Sequence, residues 1–215
     1  MKKYISVMFI IFILLVTLVI NNVKASLPLS GKVIVLDAGH GGKDPGTSYG
    51  NILEKDINLK IVLELEKELS KNGASVILTR DGDYDLSSPK TSMRKRSDFD
   101  NRIKLINESN ANMYISIHLN YLSDSAYYGA QVFYNKNNKV LGSSIQKFLN
   151  DNLKTNRIEK EIPKNTYMYN KLNVKGVLIE CGFLSNYNER NLLINKDYQK
   201  ELAKVIASSI INYYQ

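Results

Sequence analysis

The chain of 215 residues carries 29 Lys and Arg against 21 Asp and Glu, a formal charge of +8, and 44% of its residues are hydrophobic. That length supports one domain with a sizeable core and leaves little room for a second, and the composition excludes a disordered chain. The basic residues form no dense stripe interleaved with aromatics, which argues against nucleic acid and leaves an anionic cell wall as a suitable polyanion. At the start, Lys2 and Lys3 precede an almost wholly apolar run, Tyr4 to Ile20, and then Val23-Lys-Ala25-Ser26. A positive end, an apolar stretch and a small-residue site read as a signal peptide over 1–25, with 26–215 as the remaining domain. The run is long for a signal and slightly short for a span of roughly 20 residues, so an uncleaved membrane anchor is the alternative. Either reading puts the domain outside the cytoplasm.

After this leader, Lys32 to Asp37 reads as a fully buried strand that runs into Ala38-Gly-His40-Gly-Gly-Lys-Asp-Pro-Gly46. So much Gly and Pro marks a loop in which the backbone turns sharply or approaches something closely. Its spacing fits neither the dinucleotide fingerprint nor the P-loop. From Glu54 the period becomes helical, with Ile57, Ile61, Val62, Leu65 and Leu69 on one face and Asn72-Gly73 as the stop. Glu54 therefore sits at the start of that helix, where a carboxylate also complements the helix dipole. Ser75 to Thr79 is the next strand.

The segment Met93 to Arg102 holds four cations in ten residues and continues helically through Ile103, Ile106 and Asn107; a solvated face is the expectation for it. Met113 to Asn120 alternates as a strand, with Tyr114, Ser116 and His118 on one side and Ile115, Ile117 and Leu119 on the other. Gly129 to Tyr134 reads as a strand and Val140 to Leu153 as a helix. Arg157 to Lys171 shows no period, and its place before the next strand makes it a candidate substrate-side loop. Val177-Leu-Ile-Glu180 is an apolar strand ending in an acid, an expensive group to bury without a cation, a metal or a reaction. The single cysteine, Cys181, points to the face opposite Glu180 and reads as a small buried hydrophobe. Glu189 to Ile194 and Tyr198 to Tyr213 are the last helices. The alternation predicts a single α/β domain whose mixed, mostly parallel sheet is flanked by helices on both faces.

Both histidines, His40 and His118, fall at strand ends beside loops. In an open α/β sheet, ligands bind beyond the carboxyl ends of the strands, so His40, His118 and Glu180 share one rim and Glu54 is led back to it. Two imidazoles and a carboxylate make an open zinc set, and a second carboxylate then serves as general base. The motifs Val33-Ile-Val-Leu-Asp-Ala-Gly-His-Gly-Gly-Lys-Asp-Pro-Gly-Thr47, Glu54-Lys-Asp-Ile-Asn58, Leu78-Thr-Arg80, Ser116-Ile-His-Leu-Asn120 and Glu180-Cys-Gly-Phe-Leu-Ser-Asn186 occur in one order. In that order the chain resembles the type-3 zinc-dependent N-acetylmuramoyl-L-alanine amidases from residue 32 onward.

The resemblance implies one Zn2+ held by His40, Glu54 and His118, with Glu180 as the catalytic acid and base. It also implies Asn120, Arg102 and Asn107 in supporting or positioning roles. The implied reaction is hydrolysis of the amide between the lactyl group of N-acetylmuramic acid and the first L-alanine of the peptidoglycan stem. The leader, the bare catalytic domain and the Arg94-Lys-Arg-Ser-Asp-Phe99 run resemble the spore-cortex subgroup, whose step leads towards muramic-δ-lactam and germination. That subgroup points to the intermembrane space of the developing spore, with recruitment to the wall by the domain itself or by a protein partner. Two departures from the family pattern, Asn112 for aspartate and Lys175 before Gly176, put the starts of two strands in question. The competing readings are a vegetative autolysin, a zinc peptidase acting on stem peptides, and a non-catalytic wall-binding protein.

Overall fold

The computed structural model describes residues 8–14 and 27–215. Residues 8–14 are helical, and among the described residues no helix is long and apolar enough to cross a membrane. The rest of the expected leader, with its cleavage site after Ala25, lies outside the described residues.

Strands and helices alternate as β1 (Val33–Ala38), β2 (Ser48–Tyr49), β3 (Ile52–Leu53), α1 (Glu54–Lys71), β4 (Ser75–Leu78), α2 (Arg94–Glu108), β5 (Met113–Asn120), β6 (Gln131–Tyr134), α3 (Lys139–Leu153), β7 (Lys160–Glu161), β8 (Gly176–Phe183), α4 (Tyr187–Leu193) and α5 (Lys196–Tyr214). Six strands form one sheet in the order β4-β1-β5-β8-β6-β7. Its four strands β4, β1, β5 and β8 are parallel, while β6 runs antiparallel to β8 and carries β7 alongside. This is the expected mixed, mostly parallel sheet. The sequence reading lacks the β2–β3 hairpin and β7, each only two residues per strand and too short to show alternation.

Period-two alternation sorts the side chains between two cores. Ile115, Ile117 and Leu119 of β5 and Val177, Ile179 and Cys181 of β8 face α1, α3 and α5, where they meet Ile61, Leu65, Ile145, Leu149, Leu202 and Ile206. Each such aliphatic side chain contributes about 1.5–3 kcal/mol on full burial. On the opposite face, Val35 and Tyr114 pack with Ile106 of α2 and with Ile162, Met168 and Tyr169 of the segment between β7 and β8. The segment that shows no period is thus half of the second layer. Both questioned strand starts are intact: Asn112 Oδ1 accepts a hydrogen bond from Val33 N at 2.8 Å, and Lys175 O accepts one from Tyr114 N at 2.8 Å.

The cationic run on α2 departs from the expected solvated face at one position. Arg96 is exposed and lies over the Tyr167 ring, but Arg102 is 1% exposed and bridges Asp37 and Asp98, which are 1% and 5% exposed. Arg102 Nη1 donates to Asp37 Oδ1 at 2.6 Å, and its Nε donates to Asp98 Oδ2 at 3.0 Å. Removing one member of such a buried set strands the others without a counter-charge. Arg102→Met should therefore lower unfolding stability by about 3–5 kcal/mol in denaturant titration; a loss under about 1 kcal/mol would show that the network carries little of the fold.

Cys181 behaves as expected. It is fully buried in the main core, and burial pushes its thiol well above the ordinary range. It should resist a thiol reagent in the native protein and react only on unfolding, because the thiolate is the reactive form.

Candidate active site

The parallel strands deliver their carboxyl ends to one edge, and the site is built there from four separate parts of the chain. His40 sits in the loop after β1 with φ of 63°, a left-handed conformation uncommon for a side chain of its size. The surroundings fix it: Arg102 Nη2 donates to His40 O at 2.6 Å, and Gly41 and Asp44 exchange two backbone hydrogen bonds of 3.0 Å. Buried Arg80 ties the same loop to α1, donating to the carbonyl oxygens of Ala38, Gly39 and Lys55 at 2.8–2.9 Å. Two glycines admit the functional side chains. A Cβ at Gly39 would come within 2.2 Å of the His118 ring, and one at Gly46 within 2.5 Å of Glu54 Oε2.

Glu54 opens α1 and is the centre of the cluster. Its Oε1 lies 3.2 Å from His40 Nε2 and 3.0 Å from His118 Nδ1, and it accepts from Leu119 N at 3.0 Å. Its Oε2 accepts from Thr47 N at 2.7 Å, which orients the carboxylate. Ligand atoms of His40, Glu54 and His118 all lie within 4.8 Å of one another. The outer nitrogen of each ring is also engaged: His40 Nδ1 lies 3.0 Å from Asp44 Oδ2, and His118 Nε2 lies 3.1 Å from the Tyr169 hydroxyl.

The electrostatics follow from this crowding. Burial favours the neutral acid for Glu54, yet the two imidazoles outweigh it and hold the carboxyl well below its ordinary range. Burial likewise opposes a charged His40, but Asp44 and Glu54 raise it to about 9. The buried carboxylate and the two imidazoles thus call for positive compensation, which a proton or a divalent cation can supply.

Glu180 stands across β8 in register with His118 of β5, on the same face of the sheet. Its Oε2 is enclosed and has no hydrogen-bond partner. Burial raises its pKa to about 7, a value suited to taking and returning a proton near neutrality. A buried orphan carboxylate oxygen beside a His, Glu, His set fits a centre that holds a metal ion and its water. The structure thus brings His40, Glu54, His118 and Glu180 to one edge of the sheet.

A family model described as N-acetylmuramoyl-L-alanine amidase matches residues 34–212. The chain belongs to that amidase family. Among its relatives, the germination-specific N-acetylmuramoyl-L-alanine amidase of Bacillus subtilis is 43% identical over 196 residues, covering 88% of this chain and 82% of the relative. The probable cell wall amidase LytH of Staphylococcus aureus is 31% identical over 202 residues, 92% of this chain and 63% of the relative. The structure of the Clostridioides difficile CwlD amidase in complex with the GerS lipoprotein superposes with a TM-score of 0.80 at 42% identity, covering 85% of this chain and 98% of that one. The molecule is a peptidoglycan amidase, and its His40, Glu54 and His118 form a cluster capable of chelating a metal ion.

The three residues expected in supporting roles occupy different places in the amidase. Arg102 lies directly under the His40 loop, as described. Asn107 is remote from the cluster: it donates to Lys171 O at 3.0 Å and accepts from Asn173 N at 2.8 Å, and so pins the segment that carries Tyr169. The Asn120 side chain accepts from Tyr121 N at 2.8 Å, which shapes the loop after β5. Sequence reasoning missed Asp44 and Tyr169, the partners of the outer histidine nitrogens. Asp44 had a visible signal, a carboxylate four residues after a loop histidine; Tyr169 had none. Removing Asp44 from the outer position of His40 should weaken metal affinity about 10–100-fold in Asp44→Ala, read by competition with a chelating dye. An affinity equal to that of the parent protein would show that Asp44 leaves the ligand unaffected.

Proposed function

We propose that the amidase uses Zn2+ at His40, Glu54 and His118 to cut the amide between the lactyl group of N-acetylmuramic acid and L-alanine. The observation that carries the reading is Glu180 Oε2, enclosed, unpartnered and in register with His118. A zinc ion held by the three ligands would supply a water of lowered pKa and a positive charge for the developing oxyanion. The protein's own part is then confined to a few atoms. Glu54 is locked by Thr47 N and Leu119 N, so the ligand carboxylate does not swing towards substrate. Glu180 takes a proton from the attacking water and returns it to the departing alanine nitrogen, a shuttle for which a pKa of about 7 is well placed.

The biological setting we propose is the spore cortex, where removal of the stem peptide leads towards muramic-δ-lactam and germination. The germination-specific relative at 43% identity supports this over the vegetative cell-wall role suggested by the 31% match to LytH. The domain then works outside the cytoplasm, in the intermembrane space of the developing spore, reached through the leader at 1–25 as a cleaved signal or an uncleaved anchor. The GerS lipoprotein bound to CwlD in the superposed structure supports a lipoprotein partner for this chain as well.

Purified protein incubated with muropeptides and Zn2+ should release peptides with a free N-terminal alanine, and a chelator should stop release. Products cut within the stem peptide would instead establish a peptidase. Glu180→Gln should keep one zinc per chain and lose activity by about 10²–10⁴-fold. Near-native hydrolysis by that variant would remove Glu180 from the chemistry.

A further inference from the structure

A hydroxyl group has one proton to donate, and an ionised carboxylate has none. Applied to the contacts beneath His118, these two facts fix a direction. Asp37 accepts from Arg102 Nη1 at 2.6 Å and from Thr79 Oγ1 at 2.8 Å through Oδ1, and its Oδ2 lies 2.6 Å from Ser116 Oγ. Burial favours the neutral acid for Asp37, but Arg102 and the hydroxyl donors hold it below the ordinary carboxylate range. With Asp37 ionised, Ser116 must give its only proton to Oδ2. Ser116 Oγ is then free only to accept, and the Tyr169 hydroxyl 3.0 Å away gives its only proton to it. The Tyr169 oxygen in turn accepts, and its remaining neighbour is His118 Nε2 at 3.1 Å.

We propose that Asp37, Ser116 and Tyr169 form a one-way hydrogen-bond chain that keeps the proton of His118 on Nε2 and leaves Nδ1 as the lone pair facing Glu54. Tyr169 is thereby a positioning residue for the metal centre, acting through His118; its metal role rests on the reading of His118 as a ligand. The consequence lies at the other nitrogen. With the ring's proton held on Nε2, the nitrogen left to meet a cation is Nδ1, 3.0 Å from Glu54 Oε1. The chain is held rigidly enough to do this. Asp37, Ser116 and Tyr169 are all buried, and Asn135 Nδ2 donates to Tyr169 O at 2.6 Å. Asn107 secures the same segment two residues further on.

The chain contains only two histidines, so ring nitrogens can be followed individually in the 15N-labelled protein. In metal-free protein at pH 8, long-range proton–nitrogen correlations should show His118 Nε2 protonated and shielded from exchange. Ser116→Ala frees the Tyr169 proton to turn towards Nε2, and should move His118 to the Nδ1–H tautomer. Tyr169→Phe removes the acceptor and should speed exchange of the Nε2 proton. Both variants should weaken Zn2+ binding about 10–100-fold, with the ring-nitrogen signals of His40 unchanged. An unprotonated Nε2 in the parent protein overturns the proposal, as do an unchanged His118 pattern and a zinc Kd within about twofold in both variants. If a variant misfolds, the parent tautomer alone decides. A parent protein that shows Nε2–H but binds no Zn2+ defeats the zinc reading and leaves the chain standing.

Discussion

Glu54 Oε1 has an imidazole nitrogen on each side, His40 Nε2 at 3.2 Å and His118 Nδ1 at 3.0 Å, inside a pocket where the carboxylate is 3% exposed. Acceptors do not gather in such a place without something positive between them, since an uncompensated buried charge is expensive. The compensation is a proton or a metal ion, and much of the surrounding structure serves to aim these groups at each other. Gly39 and Gly46 leave room for the His118 ring and the Glu54 carboxylate; Arg80 and Arg102 tie down the loop that carries His40.

A second charged centre lies beneath the first and makes it possible. Asp37 at the end of β1 meets Arg102 of α2, and that pair joins the sheet to a helix packed on the site face. Arg102 directs Nε at Asp98, Nη1 at Asp37 and the carbonyl of Ala38, and Nη2 at the carbonyl of His40. One guanidinium thus links the buried pair, the strand end and the strained histidine. Stability and site geometry are coupled through it, and substitutions there disturb both.

The parts of the amidase legible in the sequence are those whose cause is local. Strand ends beside loops located His40, His118 and Glu180, and helical period placed Glu54 at the start of α1. Alternation put Cys181 on the far face and set Tyr114, Ser116 and His118 on one side of β5, which is where they lie. What escaped is what depends on contacts between distant residues. Tyr169 reaches His118 across 51 positions from a segment with no period, because that segment is shaped by Asn107 and Asn135 rather than by its own pattern. By its own pattern Arg102 was one more cation on a basic run; the family resemblance marked it for a supporting role, and its contact with Asp37 shows it to be internal.

The central claim is that His40, Glu54 and His118, and not Glu180, hold the metal. Anomalous diffraction from crystals of the zinc-loaded protein, measured on both sides of the zinc absorption edge, tests it most directly. The account predicts one strong peak within bonding distance of His40, Glu54 and His118, at about 2.0–2.2 Å from each ligand atom, with Glu180 outside that shell. A peak elsewhere, or one that takes Glu180 in place of Glu54, would contradict it.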